Sequence, residues 1–369
     1  MLRSRGGDPR CQAAGKIAVM RSLAEIYDVA LVDLDGVIYV GTQPVDHAAS
    51  ALASARAAGM RLAFVTNNAA RRPEAVAEQL TDLGVAASAS EVVTSAHAAA
   101  RLLAERLPAG ARVLVVGGDG LVAALTELGL TPVGRAADDP AAVVSGFHPD
   151  VGWRLLAEGA YAVAAGLPWV ASNVDPTIPM PQGNAPGNGA LVEAIRLATG
   201  RRPVVAGKPE PPLHREAVLR TGAHNPLVIG DRLDTDIAGA ARTGTDSLLV
   251  LTGVTNALDL ITAGPESRPT YVARDLRALS ASPEDLRVIP GESSRSGHTA
   301  TVEQDRLVIR QTSGRGATHQ DEANDSVGLL RAICGAVWAA ADQGRRVAGV
   351  ESVVVDAGWP VPPSSSRTY

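Results

Sequence analysis

The sequence predicts a doubly wound α/β fold: a parallel-sheet core, a second α/β block inserted into it, and a small α/β module near the C-terminal end. Three observations predict it. Short continuous apolar runs end abruptly in acidic or small polar residues, as strands buried on both faces of a parallel sheet do. Ala-rich or Pro-initiated helical stretches alternate with those runs, the pattern of repeated βαβ units. A middle block of the same alternation then interrupts the first pattern, which resumes after it. With 369 residues, 46% hydrophobic and 20% charged, the chain has apolar material for roughly two to three domains.

In chain order, residues 1–22 read as a disordered tail or an over-extended start ahead of Met20, since Arg3, Arg5, Arg10 and Lys16 occur without the apolar segment of a signal peptide. Asp28 to Leu34 (DVALVDL) is the first buried strand. The Ala-rich segment His47 to Ala58, the strand Arg61 to Thr66, a helix from Pro73 to Leu83 with Pro in its first turn, and a helix through Ala96 to Leu107 follow. These make residues 23–107 the first half of the core. Residues 108–202 form the inserted block, with strands at Arg112 to Val116, Ala141 to Ser145 and Trp169 to Ser172, and helices near Leu121 to Leu128, Gly152 to Glu158 and Ala190 to Ala198. Residues 203–285 complete the core with short strands at Val204 to Gly207, Leu227 to Gly230 and Ser247 to Leu251, and helices after Pro212 and Asp234. Residues 286–369 are the small module: a polar linker (GESSRSGHTA), strand alternation from Thr301 to Arg310, a helix from Asp325 to Asp342 and a frayed end. A module of that size carries a marginal core unless it docks on something else.

Composition excludes several classes of function. No apolar stretch reaches the length of a membrane span; the longest, Leu155 to Ser172, is broken by Glu158, Gly159, Gly166 and Pro168. Two distant cysteines, Cys11 and Cys334, rule out a disulfide scaffold and a Cys-based zinc site and point to a reducing, cytoplasmic compartment. A net charge of −5 without a basic cluster leaves no footprint for nucleic acid or an anionic membrane, so a small molecule is the expected partner. Of 34 basic side chains only Lys16 and Lys208 are lysines. A chain this biased toward Arg that keeps Lys inside Gly207-Lys208-Pro209 has a use for a compact ammonium there, unless the choice is chance.

Asp33 and Asp35 leave the C-terminal end of the first strand just before Gly36, at the edge where open parallel sheets bind ligands. Two acids this close repel unless a cation lies between them; an Asx turn ending the strand is the plain alternative. The second strand exits in Thr66-Asn67-Asn68, which supplies a hydroxyl, amides and backbone N–H groups without charge, as either an anion cradle or a helix N-cap. Lys208 lies beyond another strand, and Gly230-Asp231 ends the next, with Asp234 and Asp236 following. Asp234 reads as an ordinary acid opening a helix, Asp231 as a metal ligand.

In this order the residues resemble the four motifs of the haloacid dehalogenase superfamily of phosphohydrolases. The strings DVALVDLDGVIYVG, FVTNNAARRPE, SNVDPTIPMPQGNAPGNGALVEAI, AGKPEPP and VIGDRLDTDIAGA, followed by LLVLTGV, are similar to the p-nitrophenylphosphatase, phosphoglycolate and glycerol 3-phosphate phosphatase branch, over about Tyr27 to Leu279. The resemblance implies a Rossmann-like core with a large α/β cap between the second and third motifs. It implies Asp33 as nucleophile, Asp35 as general acid and base, and Mg²⁺ held by Asp33, the Asp35 carbonyl and Asp231, with Asp236 in the outer shell. It also implies that Thr66, Asn67, Asn68 and Lys208 cradle the phosphoryl group. Acid at Asp35 separates a phosphatase from the dehalogenases, which need no proton for a halide, and from the ATPases with Thr there.

Asn173, Asp175 and the stretch Pro176 to Gly189 follow a cap strand and are expected either to meet the leaving group or to serve as a hinge. His148 stands where relatives often read Asp, and Ile178 where pyridoxal phosphate phosphatases place His, which argues against that substrate. The resemblance implies glycerol 3-phosphate ahead of 2-phosphoglycolate, and leaves room for a homo-oligomer through the cap or the C-terminal module. Gln311 to Gly316 (QTSGRG) fits the loop with which Gcn5-related acetyltransferases hold the pyrophosphate of acetyl-CoA. The module is too short for a complete acetyltransferase, so its alternatives are a CoA-type ligand site in a regulatory or binding protein and a docking or dimerisation appendage.

Overall fold

In a computed structural model, residues 21–180, 182–292, 294–295, 297–311, 319–356 and 359 are described. The chain enters its core at β1 (Val29–Val32), every residue of which is buried. A short hairpin, β2 (Tyr39–Val40) with β3 (Gln43–Pro44), projects beyond the strand's C-terminal end. β4 (Arg61–Thr66) pairs in parallel with β1, and β5 (Val92–Thr94) with β4. β5 has only three residues ahead of the helix Ser95–Ala104, too few for the periodicity that announces a strand.

The chain then builds a second sheet from β6 (Arg112–Val116), β7 (Thr131–Val133), β8 (Ala142–Ser145) and β9 (Trp169–Ala171), adds an antiparallel hairpin of β10 (Thr177–Met180) and β11 (Gly183–Pro186), and closes with β12 (Val204–Val205). The order of the second sheet is β12-β9-β8-β6-β7. Two expectations need correction here. The strand at Val204, expected in the core, pairs instead with Val170 and Ala171 at the edge of the second sheet. Val204 is 44% exposed, and a two-residue edge ladder carries no pattern that says which sheet it joins. The helix expected to stop at Glu158 runs from Trp153 to Ala164. Gly159 does not break it but lets it lie close to the sheet: a Cβ there would come 2.7 Å from Val116 Cγ2.

Back in the core, β13 (Pro226–Gly230), β14 (Asp246–Val250) and β15 (Tyr271–Ala273) complete a six-stranded parallel sheet ordered β15-β14-β13-β1-β4-β5. β1 therefore stands where the strand order turns from one side of the sheet to the other, the position at which doubly wound sheets open a crevice at their C-terminal edge. One face packs Leu52, Phe64 and Leu80. The other runs continuously from Leu31, Val65 and Leu103 into Val113, Leu121 and Val170 of the cap, so apolar contact joins the two sheets.

The C-terminal module is a three-stranded antiparallel sheet, β16 (Ser294–Arg295), β17 (His298–Glu303) and β18 (Arg306–Gln311), with the helices His319–Asp342 and Val350–Asp356. The expected single strand is thus a hairpin, turned at Gln304 and Asp305 with φ of 47° and 61°, the left-handed pair that two-residue turns favour. Leu330, Ile333 and Trp338 share one apolar cluster with Ile237, Leu249, Leu258 and Val272 of the core, and Trp338 Nε1 donates to Ile261 O at 3.2 Å. This docking offsets the small size of the module's own core. Thr312 to Gly316 lie outside the described residues. No helix among the described residues is long and apolar enough to cross a membrane.

His97, 3% exposed beneath the cap, makes the fold sensitive to acid. Thr94 N–H donates to its Nδ1 at 3.1 Å, which requires that nitrogen to be unprotonated, and burial pushes the imidazole down to about 4. The unfolded chain takes up a proton near pH 6.5 that the folded chain refuses, so this contribution is intact above about pH 6.5 and lost as pH falls toward 4, reaching about 3 kcal/mol. Melting between about pH 7 and 4.5 should show Tm falling, with the slope reduced in His97→Gln. An identical slope in the variant would contradict this assignment.

Candidate active site

β1 is prolonged by one ladder bond beyond its last residue, Asp33 N–H to Ile229 O at 2.8 Å, which delivers the Asp33 carboxylate to the crevice with 13% of its side chain exposed. The chain then turns: Gly36 N–H donates to Tyr39 O at 2.7 Å, presenting Asp35 at the solvent-facing mouth. Lys208 arrives from the edge of the cap sheet, and its side chain is 4% exposed. Its Nζ lies 2.5 Å from Asp33 Oδ1, 2.6 Å from Asp236 Oδ1 and 3.3 Å from Val65 O. Burial pulls this ammonium down, but Asp236 and Asp33 outweigh it and the pKa rises, so Lys208 is a permanent cation.

Asp33, Asp231 and Asp236 each place an oxygen within 4.8 Å of the others. Burial, then the charge of Asp236, lifts Asp231 to about 6; burial lifts Asp33 well above the ordinary carboxylate range, against the pull of Lys208. Asp231 Oδ2 accepts from Val254 N–H at 2.6 Å, while its Oδ1 is buried with no hydrogen-bond partner. Three crowded carboxylates facing one ammonium, one with an unused buried oxygen, fit a hard divalent cation. Asp234 stands apart, its carboxylate paired with Arg232 at 3.0 and 2.7 Å.

The loop after β14, present in the sequence reading only as the end of the string LLVLTGV and without a role, is part of this geometry. Thr255 N–H donates to Asp231 O at 3.2 Å and Thr252 Oγ1 to Gly36 O at 2.6 Å. A Cβ on Gly253 would lie 1.9 Å from Asp231 Oδ2, and one on Gly36, whose φ is +79°, 2.3 Å from the same oxygen. Asp231 is therefore seated between two backbones that must both lack side chains. The signal available in the sequence is a glycine within three residues of the end of a buried strand.

Thr66 ends β4 with its hydroxyl accepting from Asn68 N–H at 3.1 Å, which leaves its own proton free to donate. Asn68 Oδ1 accepts from Ala70 N–H at 2.9 Å, a local turn. The Asn67 amide is engaged too: Oδ1 accepts from Lys208 N–H at 2.8 Å and Nδ2 donates to Lys208 O at 3.1 Å. The Asn67 side chain is thus committed to Lys208 and not to an anion. Though Asp35 is itself exposed, the crevice walls around it take away part of its hydration and raise its carboxyl, with Lys208 and Arg71 pulling the other way.

From the cap, Asn173 Nδ2 donates to Asn67 O at 2.7 Å, and Asp175 Oδ2 accepts from Asn67 Nδ2 at 3.1 Å. Both residues expected at the cap side of the site thus contact the core directly. His148 lies half-buried, its Nδ1 3.6 Å from Asp150 Oδ2, and Ile178 lies in the β10–β11 hairpin.

Comparison with known proteins agrees with this arrangement. Residues 30–131 match the haloacid dehalogenase-like hydrolase model, 205–279 the HAD-hydrolase-like model and 295–357 the GCN5-related N-acetyltransferase like domain. The chain is 45% identical over 321 residues to a D-glycerol 3-phosphate phosphatase of Mycobacterium tuberculosis, spanning 87% of this chain and 88% of that one. It is 37% identical over 257 residues to an acid sugar phosphatase of Staphylococcus saprophyticus, spanning 69% and 96%. A crystal structure of glycerol phosphate phosphatase from M. tuberculosis in complex with magnesium superposes with a TM-score of 0.79 at 45% identity over 86% of this chain and 92% of that one. A p-nitrophenyl phosphatase from Archaeoglobus fulgidus superposes at 0.64 and 30% identity over 69% and 98%. With near-complete coverage of a relative this similar, and the acidic crevice at the sheet edge its motifs predict, the chain belongs to the haloacid dehalogenase-like hydrolase family.

Proposed function

We propose that this chain is a Mg²⁺-dependent phosphatase of small phosphate monoesters, acting on glycerol 3-phosphate through an aspartyl-phosphate. The observation that carries the reaction type is the juxtaposition of Asp33, Lys208 and Asp231 at the edge of β1 with a second acid, Asp35, two residues beyond the nucleophile. The 45% identity to a D-glycerol 3-phosphate phosphatase supports the substrate.

Asp33 attacks phosphorus in line, forming an aspartyl-phosphate and releasing the alcohol, which replaces one difficult displacement by two easier ones. Lys208, a cation held against Asp33, offsets the repulsion between the carboxylate and the incoming phosphate. Thr66 Oγ1 and the Asn67 N–H donate to phosphoryl oxygens. Asp35, two residues beyond the nucleophile at the mouth of the crevice, protonates the departing alkoxide and later takes a proton from the water that attacks the phosphorus. Asp33, the Asp35 carbonyl and Asp231 would hold Mg²⁺ with Asp236 in the outer shell, and the ion supplies Lewis-acid stabilisation of charge on the phosphoryl group.

The partner is a small phosphorylated metabolite. Few cysteines, with Cys334 a buried free thiol, support a cytoplasmic site of action. Trp153, Tyr161 and Leu197, exposed on the cap helices, support self-association through the cap. The C-terminal module's match to an acetyltransferase-like domain concerns its family; the loop expected to hold a CoA-type ligand lies, from Thr312 on, outside the described residues.

Phosphate release from a panel of esters tests the substrate. Glycerol 3-phosphate should exceed 2-phosphoglycolate by about tenfold in kcat/KM, EDTA should stop release, and Mg²⁺ but not Ca²⁺ should restore it, because a larger and looser shell misplaces Asp33. A preference for 2-phosphoglycolate would reassign the substrate. Undiminished release in EDTA would remove the metal.

A further inference from the structure

We propose that Asp175 is a positioning residue that fastens the cap to the catalytic lysine, by holding the Asn67 amide in the orientation that clamps the Lys208 backbone. This rests on the phosphatase reading and replaces the expectation that Asp175 meets the leaving group. The Asn67 side chain grips both backbone groups of Lys208, Oδ1 on its N–H at 2.8 Å and Nδ2 on its carbonyl at 3.1 Å. A primary amide could turn over and present the opposite atoms, which would set donor against donor and acceptor against acceptor at both contacts. The remaining Nδ2 hydrogen points to Asp175 Oδ2 at 3.1 Å, and a carboxylate oxygen that accepts there permits one orientation of the amide; burial raises the Asp175 carboxyl, against the pull of this hydrogen bond and of Arg232 and Lys208.

The cap fixes that carboxylate in turn. Asp175 N–H donates to Asn173 Oδ1 at 3.1 Å, Asn173 Nδ2 donates to Asn67 O at 2.7 Å, and the carbonyl of Asn173 accepts from Asn188 Nδ2 at 2.6 Å. Gly207 lets the seam close: a Cβ there would lie 2.6 Å from both Asn67 Oδ1 and Ser172 O. With its backbone held in this way, Lys208 directs Nζ between Asp33 and Asp236. The cap thereby acts on phosphate through charge placement, whatever alcohol is leaving.

The test is steady-state kinetics of Asp175→Ala and Asp175→Asn on glycerol 3-phosphate and p-nitrophenyl phosphate, together with inhibition by inorganic phosphate. Asp175→Ala should lower kcat for both esters alike, by about tenfold, the usual size of a lost hydrogen bond to a charged group, and should weaken phosphate inhibition to a similar degree. Asp175→Asn, whose amide oxygen still accepts from Asn67, should recover most of the loss. If Asp175→Ala does not fold, Asp175→Ser, too short to reach Asn67, replaces it with the same expectation. A loss confined to glycerol 3-phosphate would show direct substrate contact and overturn the proposal, as would no loss, or equal losses in the Ala and Asn variants. An unaltered chain inactive on both esters would overturn the phosphatase reading instead.

Discussion

Asp33→Asn should reduce phosphate release by at least about 10⁴-fold while leaving the fold intact. The amide fills the same volume but carries no lone pair basic enough to attack phosphorus, and no neighbour replaces it: Asp231 and Asp236 are held by Val254 N–H and by Lys208 Nζ. Stability should not follow activity down. Burial, Asp236 and Asp231 all raise the Asp33 pKa and only Lys208 offsets them, so neutralising Asp33 removes a repulsion as well as an ion pair. Lys208 keeps Asp236 at 2.6 Å. We expect Tm within a few degrees of the unaltered chain or above it, as is common when a functional charge is removed from a strained site. Measured release near the unaltered rate from a folded variant would exclude covalent catalysis by Asp33.

Gly253→Ala should cost about 10²-fold in turnover, although residue 253 touches no substrate. The added Cβ would lie 1.9 Å from Asp231 Oδ2 and 2.8 Å from Asp231 Cβ, so either the loop or Asp231 must move. Asp231 is held through Val254 N–H, and the loop through Thr252 Oγ1 to Gly36 O. Either the loop retreats and the Val254 bond is lost, or Asp231 swings away from Asp33 and Asp236. Both outcomes weaken the cation site, so the Mg²⁺ concentration for half-maximal activity should rise by about tenfold or more. Titration of Mg²⁺ against rate and against Tm separates this from general unfolding. An unchanged Mg²⁺ requirement would show that the loop does not seat Asp231.

The elements legible in the sequence are those with a long signal. Asp28 to Leu34 announced a buried strand because parallel strands covered on both faces leave no polar alternation to hide them. Lys208 stands out because, Lys16 apart, the chain uses arginine. β5, with three residues, and β12, with two, are too short for periodicity, and which sheet β12 joins depends on where β9 lies in space, which no local pattern carries. The roles of Gly253 and Val254 N–H are long-range contacts: the partner, Asp231, is over twenty positions earlier, and backbone donors carry no side-chain signature. Asn67 was legible as a polar strand exit, yet its amide serves Lys208 and Asp175, a use set by the packing of two domains. The module's marginal size signalled that it must dock, and only the fold showed Ile237, Leu249 and Leu258 as what it docks on.

Acid quenching of the enzyme during turnover of glycerol 3-phosphate, followed by peptide mass spectrometry, tests the central claim most directly. The peptide spanning Asp33 should gain the mass of one phosphoryl group, with fragmentation placing it on Asp33, and the gain should vanish in Asp33→Asn and when EDTA is present. Sustained phosphate release with Asp33 unmodified, or with the phosphoryl group on another residue, would contradict the account.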